Sequence, residues 1–251
     1  MHRKSGFTLI ELSIVIVIIG LIVGGIMVGN DLIKAAQRRA QIAQFEMFQL
    51  AVSTFKIKYG GLAGDADNAS AFFTGVSDGN GNGMLQLADG TSRCDIGTYG
   101  GEMAQFFIHL SKANLLDYTY TGGSAINVGY PSLRIKPGLG MVATSSNIVM
   151  VGTGGNTGGQ LLRLCMRIVN PTTMPNLDGA DAVTDASSSA LSGEETMFLD
   201  LKIDDGKPAK GKFTASAESG FVGAITPCND GTNYYSNVIT SRCRPSLDLQ
   251  F

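Results

Sequence analysis

The residues of this chain that could perform chemistry are few and lie far apart. His2 and His109 are the two histidines, and the four cysteines contain no Cys-x-x-Cys pair. This excludes a multi-histidine metal site, and zinc or thioredoxin chemistry is not expected. A serine triad would depend on His109 alone. His109 lies beside the apolar face of a helix predicted over 102–116, so we interpret it as a packed or solvated histidine and predict no enzyme activity.

The segment from Asp78 to Asp89 has the spacing of a calcium-binding loop. It reads DGNGNGMLQLAD, with oxygen-bearing side chains at alternate positions, a glycine at the sharp turn and an acid at the twelfth position. The predicted ligands are Asp78, Asn80, Asn82, Met84 through its backbone carbonyl, and Asp89. Two acids predict a weak site, with a Kd on the order of 10⁻⁴–10⁻³ M. A glycine-asparagine turn without metal is the alternative.

Glu11 is the single charge in a long apolar run. The run from Phe7 to Val28 reads FTLIELSIVIVIIGLIVGGIMV, and as a helix it would span roughly 33 Å, enough to cross a bilayer. A carboxylate inside such a span costs about 2.5–3.5 kcal/mol on insertion scales. We therefore expect Glu11 to pair with a positive charge from another chain. The alternative is a glutamate near the interface that snorkels or is protonated.

A basic tail precedes the run, and this tail allows a second interpretation. Arg3 and Lys4 followed by an apolar segment are typical of a secretory signal peptide. The run is longer than the apolar part of such a peptide, it contains an acid near its start, and no convincing cleavage site follows it. These features favour a membrane-spanning segment that continues into a longer helix.

Residues 30–59 are predicted to continue the helix as an amphipathic segment. Apolar side chains recur at steps of three or four, and these are Ile42, Phe45, Phe48 or Gln49, Val52, Phe55 and Tyr59. The opposite face is predicted to be polar and carries Lys34, Gln37, Arg38, Gln41 and Gln44. No proline interrupts residues 7–59, and Gly60-Gly61 should end the helix. A coiled-coil seam is the alternative for the apolar stripe.

Composition limits the class of protein. The chain has 251 residues, of which 44% are hydrophobic, so it can bury a core as one large domain or two small ones. Its formal net charge of −2 argues against a nucleic-acid binder that acts through bulk positive charge.

The heptapeptide Gly6-Phe7-Thr8-Leu9-Ile10-Glu11-Leu12, after a short basic leader, resembles the class III signal of type IV pilins and type II secretion pseudopilins. The resemblance implies that a prepilin peptidase cuts after Gly6 and methylates the new terminus at Phe7. It also implies that Glu11 meets the N-terminal amine of a neighbouring subunit during assembly. The short leader and Phe7 resemble the a-type class. Major pilins usually carry a proline where this chain has Val28, which leaves minor pilin or pseudopilin open.

The same resemblance predicts an α+β fold in which a long N-terminal helix packs on a globular head with a mainly antiparallel sheet. The expected divisions are a leader at 1–6, a transmembrane and filament-core helix at 7–29, its amphipathic continuation at 30–59 and a head at 60–251. Apolar runs in the head predict strands at 133–135, 141–143, 148–151 and 161–169, and a helix at 194–203. Residues 58–69 and 200–211 resemble stretches of pilin-like heads. The acids of the second stretch are expected to cap a turn, with contact to a cation as the alternative.

Export by the span would place the four cysteines in an oxidising compartment, where an even number predicts disulfides. Cys228 and Cys243 would close a loop that resembles the C-terminal disulfide loop of pilins, and Cys94 would then pair with Cys165. Four cysteines allow three pairings, so the others stay open.

The resemblance implies a structural subunit of a pilus-like filament. Its expected partners are other copies or related pilin subunits, the prepilin peptidase and an inner-membrane assembly platform, and nucleic acid is not indicated. The expected location is the inner membrane with a periplasmic head, followed by an extracellular or periplasmic filament. The alternatives are a singly anchored periplasmic enzyme or binding protein, and a tip adhesin or DNA-uptake minor pilin.

Overall fold

The structure of the protein is a computed structural model. It describes residues 8–86, 100–123, 126–146, 161–168, 191–208, 210–217, 232–234 and 243–249.

Helix α1 runs from Leu9 to Tyr59 without a break. Thr8 caps its first turn, since its side chain accepts from the Glu11 N–H while the Glu11 carboxylate accepts from the Thr8 N–H. Gly60 ends the helix in the left-handed conformation, with φ of 78°, which costs glycine little because it has no Cβ. One continuous helix with a glycine stop confirms the sequence prediction.

The described part of the head contains three shorter helices. They are α2 (Ala69–Phe72), α3 (Gly101–Lys112) and α4 (Gly193–Ile203). Helix α3 is shorter than the predicted 102–116 and is followed by Asn114 at a positive φ of 55°. Helix α4 begins with a second capping box, formed by Ser192 and Glu195. Such Ser/Thr-x-x-Glu spacing is a sequence signal that also marks Thr8-x-x-Glu11.

Among the residues that the structure describes, four strands form an antiparallel sheet in the order β1-β2-β4-β3. Their bounds are Leu139–Ser146 for β1, Leu161–Ile168 for β2, Phe213–Ala217 for β3 and Cys243–Asp248 for β4. Strand β4 lies between two others although it contains Pro245, a residue without an N–H to donate. The register explains this, because β2 pairs only with the part of β4 from Ser246 to Asp248, past the proline.

The antiparallel sheet confirms the predicted fold class and corrects its details. Predicted strand 141–143 lies within β1, and 161–169 corresponds to β2. Residues 133–135 form no strand, and the predicted strand at 148–151 lies outside the described residues.

Helix α1 contributes to the core only through its second half. Phe48 packs edge-on against Phe107 of α3 with ring centroids 5.7 Å apart, and Phe45 contacts Phe213 of β3 at 6.4 Å. Gln41 and Gln44 are buried, which corrects their predicted place on the polar face. The Gln41 side-chain oxygen accepts from the N–H groups of Arg134 and Ile135 at 2.7 and 3.2 Å, because this irregular segment has N–H groups that need acceptors. Buried glutamines thus join α1 to the head.

Candidate functional site

The first half of α1 is a bare apolar rod. Every described residue from Thr8 to Val28 is exposed, including Leu9 at 88% and Leu21 at 73%. The helix is long and apolar enough to cross a membrane by length and composition. Aliphatic side chains in water are unfavourable by about 25 cal/mol per Å² of apolar surface, so this rod needs lipid or protein around it.

Glu11 lies in the first turn of this rod, and Thr8 holds its carboxylate. The backbone N–H and the hydroxyl of Thr8 both donate to the Glu11 Oε2 atom, at 2.8 and 2.7 Å. Among the described residues nothing donates to the other oxygen, Oε1. The capping box therefore orients the carboxylate and leaves one oxygen for a further partner. The processing residues Gly6 and Phe7 lie outside the described residues.

Comparison with known families fits this arrangement. Residues 1–27 match the family model for the prokaryotic N-terminal methylation motif. This chain carries a prepilin signal. The match confirms the predicted class III signal and is consistent with the pilin and pseudopilin family. Neither a curated protein nor a solved structure matches the chain.

The prepilin motif indicates a pilin-like precursor that is processed by a peptidase and assembles with other subunits. Together with the apolar rod it fits membrane anchoring. It favours a structural subunit over an enzyme. In the described part of the head, two loops contain acids that could add a binding function.

The first loop closes around Asp65, whose side chain is 2% exposed. The two carboxylate oxygens accept from the N–H groups of Asn82 and Gly83, at 3.1 and 2.8 Å, and the Asp65 backbone carbonyl accepts from Gly81 N–H at 2.9 Å. Burial raises the pKa of Asp65, and these N–H groups partly offset that rise. A Cβ at Gly79 would overlap the Asp65 backbone, so glycine is needed there. Residues 60–86 are called the Asp65 loop below.

Helix α3 braces the Asp65 loop through Glu102 and His109. Glu102 accepts from Asn80 N–H at 2.9 Å and from Gln86 N–H at 3.1 Å. His109 is fully buried, and its Nδ1 accepts from Gly64 N–H at 2.9 Å while its Nε2 lies 3.0 Å from the Ser77 carbonyl. These partners require neutral imidazole with the proton on Nε2, and burial lowers its pKa. His109 is thus the packed histidine expected from the sequence.

Four of the predicted calcium ligands lie in the Asp65 loop, namely Asp78, Asn80, Asn82 and Met84. The side-chain oxygens of the first three already accept hydrogen bonds there. Both Asp78 carboxylate oxygens accept from Ser70, at 2.6 and 2.7 Å, so Asp78 caps the first turn of α2, where the side chain of the N-cap residue Asn68 makes no such bond. The Asn80 and Asn82 side-chain oxygens accept from N–H groups two residues further on. Asp89 lies outside the described residues. Calcium binding stays a prediction, because amide and carboxylate oxygens can share a hydrogen bond and a cation.

The second loop, residues 200–213, is called the Asp200 turn. Asp200 is fully buried, and it accepts from Gly206 N–H at 3.1 Å and from the Tyr234 hydroxyl at 2.8 Å. Asp204 accepts from the N–H groups of Lys212 and Phe213. These bonds support the expectation that the acids close a turn. Burial raises the pKa of Asp200 to about 7, and the hydrogen bond from Tyr234 partly offsets the rise.

Among the described residues, the Asp200 turn also brings together the one group of three acids close enough to share a cation. Carboxylate oxygens of Asp200, Asp204 and Asp205 lie within 4.8 Å of one another. Like charges at this separation repel and disfavour ionisation, which agrees with the raised pKa of Asp200. The sequence predicted a turn for this stretch, with contact to a cation as the alternative, and it predicted the calcium ligands around Asp78.

Cys243 is disulfide-bonded. Cys94 and Cys228 lie outside the described residues, and the side chain of Cys165 does too. The pairings Cys228–Cys243 and Cys94–Cys165 therefore stay predictions.

Arg38 connects the junction of the two halves of α1 to α4. Its guanidinium lies 3.2 Å from the Glu194 carboxylate and 4.8 Å from the centre of the Phe198 ring. Glu194 is 63% exposed, so the ion pair by itself contributes little. The stacked arginine still marks where the helix leaves the head, and this contact has no signal in the spacing of the sequence.

Proposed function

We propose that the chain is a structural subunit of a type IV pilus-like filament: a pilin, minor pilin or pseudopilin. Prepilin peptidase removes residues 1–6 and methylates Phe7. The subunit waits in the inner membrane with its head in the periplasm. An assembly platform then draws it into a periplasmic or extracellular filament, where it packs against other copies or related subunits.

The contrast between the two halves of α1 carries this proposal. The second half is held by the head through Gln41, Phe45 and Phe48, whereas the first half contacts no described part of the head. An anchor alone would need only about 20 apolar residues. The rigid extension of one helix into a packed head lets a pull on the head move the apolar rod from lipid into a filament core.

Glu11 supplies the charge that selects the neighbour. In the apolar core an ammonium without a partner is costly, and a carboxylate a few Å away relieves that cost. Thr8 binds Oε2, so Oε1 is the oxygen offered to the Phe7 amine of the adjacent subunit. The capping box keeps the carboxylate hydrogen-bonded while the subunit waits in the bilayer.

The experiment compares filament protein with membrane-pool protein after shearing, in the native host. Glu11→Val should accumulate in the membrane and be depleted from filaments, because the charge pair is lost while the cost of inserting a carboxylate is removed. Glu11→Gln keeps an acceptor for Thr8 but removes the charge, and Thr8→Val keeps the charge but removes the hydroxyl. If the charge of Glu11 drives assembly, Glu11→Gln should be depleted from filaments as Glu11→Val is. Thr8→Val should then assemble better than both.

Ser13→Val is the matched control, because it also replaces a polar side chain in the rod, whose hydroxyl donates only to the Ile10 carbonyl. It should assemble as the unaltered chain does. Intact-mass analysis of the same material should show a chain that starts at methylated Phe7. A chain that starts at Met1, or that stays in the membrane pool under all conditions, supports the singly anchored enzyme or binding protein instead. A subunit found only at filament tips supports the minor-pilin adhesin or DNA-uptake alternative.

A further inference from the structure

The chain contains two asparagine-glycine dipeptides, and both lie in the Asp65 loop. They are Asn80-Gly81 and Asn82-Gly83, within a run that reads GNGNG. In such a dipeptide the glycine nitrogen can attack the side-chain carbonyl carbon of the asparagine, because glycine has no Cβ to hinder the approach. The side-chain nitrogen then leaves as ammonia, taking the proton of the glycine N–H with it, and a succinimide ring closes. Water opens the ring and leaves aspartate or isoaspartate in place of asparagine.

Both asparagines are exposed to water, but the fold holds both attacking nitrogens. The N–H of Gly81 donates to the Asp65 backbone carbonyl at 2.9 Å, and the N–H of Gly83 donates to the Asp65 carboxylate at 2.8 Å. The two asparagine side-chain oxygens accept from N–H groups two residues further on. Each glycine nitrogen is therefore fixed on Asp65 and cannot swing onto the carbon that it would attack while the loop is closed.

The two asparagines have the same flanking residues but are held with different strength. Asn80 and Asn82 each lie between two glycines, so their intrinsic reactivity in an open chain is alike. At Asn82 the attacking nitrogen has a charged acceptor, and the side-chain nitrogen donates to the Gln86 Oε1 atom at 3.0 Å. At Asn80 the attacking nitrogen has a neutral carbonyl as its acceptor, and the side-chain nitrogen has no acceptor among the described residues. Hydrogen bonds to charged groups are the stronger ones, so Asn82 is the better protected of the two.

We propose that Asn80 and Asn82 are sites of spontaneous deamidation, and that the Asp65 carboxylate protects Asn82 until the Asp65 loop opens. The reaction needs only water and the loop, so it is independent of filament assembly. After reaction at position 82, a carboxylate replaces the donor that faces the Gln86 oxygen, close to Asp65, whose Oδ1 atom binds the Asn82 N–H. Like charges at this distance repel, so the closed loop does not re-form as before. A brief opening of the loop thereby becomes a permanent change of charge.

Site-resolved mass spectrometry of the full chain tests this proposal. The chain is incubated in detergent at mildly alkaline pH, and the deamidated fraction at each asparagine is followed over time in proteolytic peptides. In the unaltered chain Asn80 should react faster than Asn82. Asp65→Ala should raise the Asn82 rate by about tenfold, because the Gly83 N–H loses its charged acceptor, and it should raise the Asn80 rate less, because the backbone carbonyl of residue 65 remains. Asp67→Ala is the matched control, since it removes an exposed acid of the same loop that accepts from neither glycine, and it should leave both rates unchanged.

The same measurement in urea separates opening of the loop from unfolding of the chain. In urea both asparagines should react at the same rate in every variant, and absence of reaction there would show that neither is a deamidation site. If Asp65→Ala reacts at the urea rate at both sites, the variant is unfolded, and Gln86→Ala decides instead: a faster reaction at Asn82 alone supports the proposal, and an unchanged rate contradicts it. Equal rates at the two sites in the folded, unaltered chain would overturn the protection. A slower reaction of Asn82 in Asp65→Ala would overturn it too, because the carboxylate would then act as a base that takes the Gly83 proton.

Discussion

Asp65 and Asp200 are two buried acids that organise two loops at different places in the head. Asp65 binds N–H groups of its own loop and has no side-chain donor among the described residues. Asp200 binds one N–H group and the hydroxyl of Tyr234, and two further carboxylates lie close to it. Asp65 lies in a cradle of amides, with Asp67 and Glu102 close enough for electrostatic repulsion, whereas Asp200 belongs to a group of three acids close enough to share a cation.

The ionisable groups at the two loops are expected to respond to acid in opposite ways. The Asp65 loop is braced by neutral His109, whose pKa is lowered by burial, while burial of Asp200 raises its pKa to about 7. Protonation therefore opposes the native hydrogen bonds at His109 and relieves a buried charge at Asp200. Burial alone does not decide how a loop responds to acid, because the sign depends on which protonation state carries the charge.

The largest expected effect on stability is that of removing the Asp65 carboxylate from its cradle of N–H groups. Asp65→Ala should lower the free energy of unfolding by about 3–5 kcal/mol, because two N–H groups lose a charged acceptor. Asp65→Asn keeps one acceptor oxygen and should lose less. Thermal or urea unfolding of the chain in detergent measures both. A loss for Asp65→Ala no greater than that for Asp78→Ala, which removes an exposed acid, would show that the cradle does not hold the loop.

The contributions of Asp200 and His109 to stability should change with pH in opposite directions. The folded-state pKa of Asp200 is raised from 3.8 to about 7, so its contribution to stability is fully present below 3.8 and is lost as the pH rises through about 7. Asp200→Asn should therefore gain about 3 kcal/mol relative to the unaltered chain between pH 5 and pH 8. The measurement is the difference in unfolding free energy between the two chains at several pH values, and a difference independent of pH would contradict the assignment.

His109 should show the reverse trend. Its folded-state pKa lies below 6.5, so its contribution is present above 6.5 and is lost as the pH falls through the folded value. His109→Gln can still accept from Gly64 and donate to Ser77, but it does not titrate in this range. The variant should gain stability relative to the unaltered chain as the pH falls from 7 to 5. Asp78, the charged group that opposes the lowered pKa, should stay in place in this experiment.

The smallest expected effect is that of calcium. With a Kd near 1 mM, 5 mM calcium should stabilise the chain by about 1 kcal/mol. Asp78→Ala should abolish the resulting rise in melting temperature if the cation binds the Asp65 loop. Asp204→Asn should abolish it instead if the cation binds the Asp200 turn. An unchanged melting curve for the unaltered chain would mean that both loops are turns held by hydrogen bonds.

Local patterns predicted the elements that are long or sharply bounded. The 51 residues of α1 could be predicted from the absence of proline, the periodic apolar residues and the stop at Gly60. Strand β4 could not be predicted in this way, because Pro245 argues against a central strand unless the register of the strand is known. The pattern placed Gln41 on the polar face for a similar reason. Its side chain is buried because its oxygen accepts from the N–H groups of Arg134 and Ile135, which lie more than 90 residues further along the chain.

The sequence by itself determined the prepilin signal, the apolar rod and the position of Glu11 within it, because each depends on residues within one helical segment. Only the tertiary structure decided which groups the acids of the head bind. The spacing of Asp78, Asn80 and Asn82 points to a cation, yet folding gives each of their oxygens an N–H or hydroxyl partner and brings Asp65 and Glu102 to the same loop. The bonds of Asn80 and Asn82 are local, but those of Asp78, Asp65 and Glu102 join residues 8 to 22 positions apart, so no local pattern records them.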